Sequence, residues 1–258
     1  MTINIIRFED KLMHHGVNND NMFTNGEFGV AQNFLKRDDI IFDVGANKGA
    51  WVRMALTVNI FKLILCFEPI LEACHVLQSH IFFREYMKIY NGVVADRVGQ
   101  ATFHLYKNNH QIAEMSNLFG RPNIEKQQGI VSEDIVVNST TIDVACAGEG
   151  VERLNFLKID TEGAELLVLK GSKTMLENRA INHIQFEYGG CFQNSGATLK
   201  EIYEMLTSQD FAIYRIIPEG LLEIPKWDNR LENYLHSNYF AILQPKKRKK
   251  HKAKMVDK

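Results

Sequence analysis

No stretch of this chain approaches the ~18 uninterrupted apolar residues of a membrane-spanning helix. Nor does any N-terminal apolar run have the form of a secretory signal. Cysteine is scarce: Cys66, Cys74, Cys146 and Cys191 stand apart, with no CxxC pair or other metal-ligand spacing. This usage points to a reduced, cytoplasmic setting, with Cys66 a small core residue inside an apolar strand. An excess of charge of one sign is also missing, since the formal net charge is -1. The charge is uneven, however. Residues 246–258 carry eight Lys or Arg and one Asp, a local +7, which leaves -8 for the rest. The body is therefore mildly acidic, and composition offers no broad basic face. Its 45% hydrophobic and 24% charged content is ordinary for a globular protein. At 258 residues the chain suffices for one full core with a short extension.

The most informative stretch is IIFDVGANKG, residues 40–49. Ile40, Ile41 and Phe42 read as a buried parallel strand that Asp43 ends at the rim. Gly45 and Gly49 let the backbone pass close to a ligand before a helix begins near Ala50. This is neither GxGxxG nor GxxxxGK[ST], so a dinucleotide fingerprint and a phosphate loop are both disfavoured. An acidic strand end followed by a small-residue turn suits S-adenosylmethionine: the carboxylate favours the cationic amino-acid end, and the loop amides complement its carboxylate. The plainer alternative is an ordinary strand-to-helix turn.

Strands and helices alternate beyond this point. Residues 61–67 form a second apolar strand closed by Glu68 and Pro69, residues 71–83 a helix, and residues 87–94 a third strand. GQATFHLY (99–106) alternates as a strand, and 135–137 is a shorter candidate. The polar piece 107–134 between them is a long loop or lid. Strands at 154–159, 181–186, 211–217 and 239–243 follow, with a helix at 199–207. The turn-rich connection 218–237 points to a terminal hairpin-like pair. Repeated units of this kind predict an α/β sheet with helices on both faces and ligands beyond the carboxyl ends of the strands. The domain limits read as 1–37, an extension with a helical segment from Val30; 38–245, the main domain; and 246–258, a basic tail.

The strand ends therefore supply the candidates. Glu68 can accept hydrogen bonds from both hydroxyls of a ribose, and Pro69 biases it toward an extended backbone. Asn91, or the backbone around Val93, faces the adenine position. In LKIDTEGAELLVLKG (157–171), alternation puts Phe156, Lys158 and Asp160 on one side of the strand and Leu157 with Ile159 on the other. Asp160 then emerges at the rim, Thr161 is a candidate helix cap, and Glu165 reads as helix electrostatics. Glu187 ends the fifth strand in QFEYGG, and His110 sits in the lid. Asp160, Glu162, Glu187 and His110 have the chemistry of a metal site, but no spacing signature assembles them, so no metal is expected.

FDVGANKG, CFEP, NGVVADRVG, STTIDV, LKIDTEGAELLVLKG and QFEYG occur in the order found in the FkbM family of S-adenosylmethionine-dependent methyltransferases, which the chain resembles from about residue 27 to 244. The resemblance implies a class I methyltransferase (Rossmann-like) fold. This is a three-layer α/β sandwich around a mostly parallel seven-stranded sheet whose last strand is antiparallel. It implies O-methylation of a sugar, glycan or small natural product. It also places Asp43, Gly45, Ala46 and Asn47 at the methionine end, Glu68 at the ribose, Asn91 at the adenine side and Glu27 where it helps close the site. A base for the acceptor hydroxyl is expected first at Asp160, then at Glu187. The rivals are an RNA or cap methyltransferase drawn to phosphate by the basic tail, a non-catalytic binding protein on the same fold, and an NAD-dependent dehydrogenase. The tail's plainer role is solubility.

Overall fold

The computed structural model describes residues 2–7, 19–80, 85–106, 115–122, 125–126, 129 and 131–246. A two-residue strand β1 (Ile5–Ile6) precedes helix α1 (Glu27–Phe34). The first βα units are β2 (Ile40–Val44), α2 (Ala50–Val58), β3 (Leu63–Glu68), α3 (Leu71–His80) and β4 (Met87–Asn91). Three strands then interrupt the alternation: β5 (Val93–Val94), β6 (Gly99–Tyr106) and β7 (Ser132–Thr140). The pattern resumes with α4 (Ile142–Glu149), β8 (Leu154–Ile159), α5 (Glu165–Lys170), α6 (Lys173–Glu177) and β9 (Ile181–Tyr188). It closes with α7 (Phe192–Ser195), α8 (Leu199–Ser208), β10 (Phe211–Ile217), β11 (Gly220–Ile224) and β12 (Ser237–Leu243).

Among the described residues the main sheet has nine strands in the order β1-β11-β10-β12-β9-β8-β2-β3-β4. Strands β4, β3, β2, β8 and β9 are mutually parallel, and β12 is antiparallel to both β9 and β10. The expected count of seven is corrected to nine. The turn-rich stretch after β10 contains β11, which folds back on β10, and the N-terminal extension adds β1 beside it. Gly220 permits both events: its φ is 145°, and a Cβ there would lie 2.3 Å from the Asn4 carbonyl oxygen.

Strict alternation along the central strands divides the core in two. Phe42, Val44, Leu65, Phe67, Leu157 and Ile159 face one layer, packed on α4, α5 and α8. Ile41, Ile64, Cys66 and Phe156 face the other, packed on α1 and α2. Helices thus cover both faces.

The expected strand 87–94 splits at Gly92. Its second half, β5, joins β7 and β6 in a separate three-stranded sheet. A Cβ at Gly92 would meet the Asn138 carbonyl oxygen at 2.5 Å, so the side-chain-free residue lets the two sheets touch. Strand β7 runs nine residues where only its apolar centre, 135–137, was legible, because its flanks are polar. The remaining lid residues 107–114, with His110, and the tail 247–258 lie outside the described residues.

Candidate active site

A cleft of about 620 Å³ opens where β2, β3, β8 and β9 end and β12 begins. Its size is that of small-molecule sites generally. Asp43, Gly45, Ala46, Asn47, Glu68 and Glu27 line it, and so do Asp160 and Glu187. Gly49 and Asn91 do not. Gly49 instead caps α2 in the left-handed region, at φ 78°. The Asn91 amide donates to the carbonyls of Glu68 and Pro69, both at 3.0 Å, and Gly92 and Val93 take its place on the wall.

The turn after β2 is committed internally. The amides of Gly45 and Ala46 donate to the Phe67 carbonyl at 3.0 and 3.1 Å, and that of Asn47 to Glu68 Oε2 at 2.8 Å. These amides are therefore spent on the protein, contrary to the expectation that they meet a ligand carboxylate. Gly45 answers to a neighbour as well: at φ 80°, its Cβ would fall 1.7 Å from the Asp160 carbonyl oxygen. Gly45→Ala is therefore expected to lower unfolding free energy by about 2–3 kcal/mol through backbone strain and displacement of the β8 end. Urea denaturation checks this, and an unchanged midpoint would contradict it.

Two buried carboxylates define the inner wall. Asp43 is 1% exposed, and its Oδ2 has no hydrogen-bond partner in the protein. Burial pushes its pKa up to about 7, against the pull of Lys158. Glu68 accepts from the amides of Asn47 and Ile70, each at 2.8 Å, and burial raises it to about 7 despite both bonds. Trp51 Nε1, also buried beside the cleft, is likewise unpartnered.

Beneath this wall Lys158 is 3% exposed, and its Nζ donates to Asp160 Oδ2 at 2.9 Å. Burial works against its charge, yet Asp160, Glu27 and Asp43 together raise its pKa above that of an ordinary lysine. Glu27 is held by three amides: Asn25 at 2.8 Å, Gln185 at 2.6 Å and Asn238 at 3.3 Å. It thereby ties α1 to β9 and β12, in the middle of the molecule.

At the outer wall Asp160, Glu187 and His236 converge. Burial opposes the Asp160 charge, but the Lys158 ammonium holds its pKa below the usual carboxylate range. Glu187 is pushed the other way, to about 8, by burial and by the Asp160 charge. Its Oε2 lies 3.3 Å from His236 Nε2. Glu162, at φ 57°, pairs with Arg121 of the 115–122 segment. Thr161 does not cap the following helix: its amide and hydroxyl both donate to Glu165 Oε1 at 2.9 Å. Glu165 is 1% exposed rather than a solvated helix-end charge. Among the described residues no cluster of three or more His, Cys, Asp or Glu could hold a metal ion.

Sequence reading overlooked Lys158, Arg121 and His236 as site residues. For Lys158 a signal existed, since strand alternation sets it on the Asp160 side. For the other two nothing local marks them.

The model of the methyltransferase FkbM domain matches residues 43–213, more than half of the chain. The chain belongs to the FkbM methyltransferase family. It is an S-adenosylmethionine-dependent methyltransferase. The 2-O-methyltransferase NoeI of Sinorhizobium fredii is 24% identical over 191 residues, covering 72% of this chain and 77% of that protein. The solved FkbM methyltransferase of Methylobacillus flagellatus is 15% identical with a TM-score of 0.49; the match covers 80% of this chain and 44% of that one. SMU.1697c of Streptococcus mutans, solved with SAH, is 9% identical with a TM-score of 0.43, covering 84% and 94% of the two chains. In this FkbM methyltransferase, among the described residues, no helix is long and apolar enough to cross a membrane.

Proposed function

We propose that this enzyme methylates a hydroxyl oxygen of a sugar, glycan or small natural product, with Glu187 as the proton acceptor. The observation that carries this is the carboxylate pair on the outer wall. Asp160 is locked as an anion by Lys158, which makes it a poor base. Its charge in turn lifts Glu187 to about 8, where a carboxylate accepts a proton more readily. The order of preference between the two carboxylates is thus reversed from the sequence expectation.

The inner wall fits the methyl donor. Asp43 Oδ2, buried and unpartnered, suits the cationic amino-acid end, whose charge would return Asp43 to its ionised form. Glu68 keeps lone-pair sites beyond its two amide bonds for the ribose hydroxyls. Val93 takes the adenine side in place of Asn91. When bound, S-adenosylmethionine supplies an electrophilic methyl carbon on a sulfonium sulfur. The residues of this chain align the acceptor hydroxyl, keep water out of the cleft floor and take up at Glu187 the proton that the hydroxyl sheds.

A 2-O-methyltransferase among the relatives agrees with an oxygen acceptor. The cleft's own charge speaks against RNA. Among its lining residues Asp and Glu number seven, while Lys48, Arg53 and Lys158 are the three cations, the last buried against Asp160. Such a lining offers a phosphate backbone few cations to bind.

Two experiments test this reading. Glu68→Ala is expected to weaken S-adenosylmethionine binding by about 10–100-fold, the loss of charge-assisted bonds worth about 1.5–3 kcal/mol. Calorimetry with unchanged affinity would remove the ribose assignment. Methyl transfer from labelled donor to glycans and to RNA should favour glycans both in the full chain and in a form ending at residue 245. RNA methylation that collapses with the tail would overturn the reading in favour of a nucleic-acid enzyme.

A further inference from the structure

We propose that His236 is a positioning residue through which the proton taken up at Glu187 leaves the cleft, passing by way of Asp20 to solvent. The proposal rests on Glu187 as the proton acceptor. Its basis is a row of groups leading outward: His236 Nε2 lies 3.3 Å from Glu187 Oε2, and His236 Nδ1 lies 3.6 Å from Asp20 Oδ1, an ion-pair separation that a water or a small ring rotation would bridge. The Asp20 side chain is 97% exposed, and both His236 and Asp20 line the cleft. Half-buried carboxylates occupy one end of this row, and bulk water the other.

The fold holds His236 in place from both sides. Antiparallel pairing sets Asn238 opposite Glu187 and Ser237 opposite Tyr188, so the residue preceding β12 comes to the end of β9. The loop before it is pinned as well. The Tyr188 hydroxyl donates to Glu232 at 3.0 Å and accepts from the Tyr234 amide at 2.8 Å. Glu232 in turn accepts from the amides of Leu199 and Lys200, at 3.1 and 3.0 Å, at the start of α8. A histidine on so constrained a loop offers both ring nitrogens in fixed directions.

The proton balance is simple. Glu187 gives the acceptor's proton to Nε2 while Nδ1 releases one to Asp20 or water, which regenerates the Glu187 carboxylate with no net charge left in the cleft. The charged groups facing His236 are Asp20 from the N-terminal segment, Glu187 from β9, and Asp160 with Glu162 from the β8 loop. Lys158 and Arg121 neutralise the last two from behind. The imidazole is therefore the ring partner directly on Glu187, and in its neutral form it can take a proton at Nε2.

The test needs no acceptor. Full-length protein with carbon-13 in its glutamate carboxyls and nitrogen-15 in its imidazoles is titrated by NMR with S-adenosylhomocysteine bound. Glu187→Gln assigns the Glu187 signal. In His236→Gln, and in His236→Asn should the first variant fold poorly, the Glu187 midpoint is expected to rise by about 1 pH unit, because the imidazole contact that favours the carboxylate is gone. In Glu187→Gln the His236 midpoint should fall, as reciprocal coupling demands. A Glu187 midpoint unchanged in both His236 variants would overturn the outlet. Full methyl transfer by Glu187→Gln would instead remove the base reading, so the two failures are distinguishable.

Discussion

Glu187→Gln lowers turnover by about 10²–10⁴-fold while S-adenosylmethionine affinity stays within about twofold, the span typical of losing a general base. The side chain stands beside Asp160 and His236, whereas Asp43 and Glu68 are the carboxylates assigned to the donor. An amide of the same shape keeps the packing and loses the proton acceptor. The same assignment fixes a pH dependence. With its pKa raised to about 8, Glu187 is mostly protonated and idle as a base at pH 7. The wild-type rate should therefore climb as pH rises through about 8, and the residual rate of the glutamine variant should lack that limb. A stopped assay of S-adenosylhomocysteine release at fixed pH steps measures both. Equal pH profiles in the two proteins would show that Glu187 is not the group that titrates.

Lys158→Met removes the cation buried among Asp43, Asp160 and Glu27, and is expected to cost about 3–5 kcal/mol of unfolding free energy near neutral pH. The ammonium is itself expensive to bury; what makes its loss costly is the carboxylates left behind. The sign with pH follows from Asp43. Its folded pKa is already raised to about 7, so its contribution to stability is present below its unfolded value and fades as pH climbs through 7. Without Lys158 the folded pKa rises further, so the fading continues to higher pH. The variant's deficit should therefore be larger at pH 8 than at pH 5 in urea unfolding. A deficit equal at both would assign the role of Lys158 to packing alone.

The parts of the site legible in sequence were those with a local physical cause. An apolar run that stops at a carboxylate and then a small residue marks a strand end at a rim, and Asp43, Glu68 and Asp160 all reach the cleft. What failed depends on contacts between strands distant in sequence. Nothing around residues 45–47 announces that their amides are taken by Phe67 and Glu68, or that Gly45 is bare because the Asp160 carbonyl presses on it. Glu165 reads as a helix-end charge when Thr161 is taken as the helix cap. The helix begins at Glu165 itself, so its carboxylate turns inward to Thr161. His236 comes to Glu187 only through the β9–β12 register, which no single segment encodes. The extra strands β1 and β11 escaped for a related reason, since a two-residue edge strand and a short hairpin return carry too little periodicity to stand out.

The most direct test is to locate the transferred methyl. The enzyme is incubated with labelled S-adenosylmethionine and a panel of glycans, hydroxylated metabolites and RNA, and each labelled product is fragmented by mass spectrometry. A methyl on a hydroxyl oxygen of a saccharide or small natural product is the predicted result. A methyl on a nitrogen or carbon, or on RNA alone, would contradict the account.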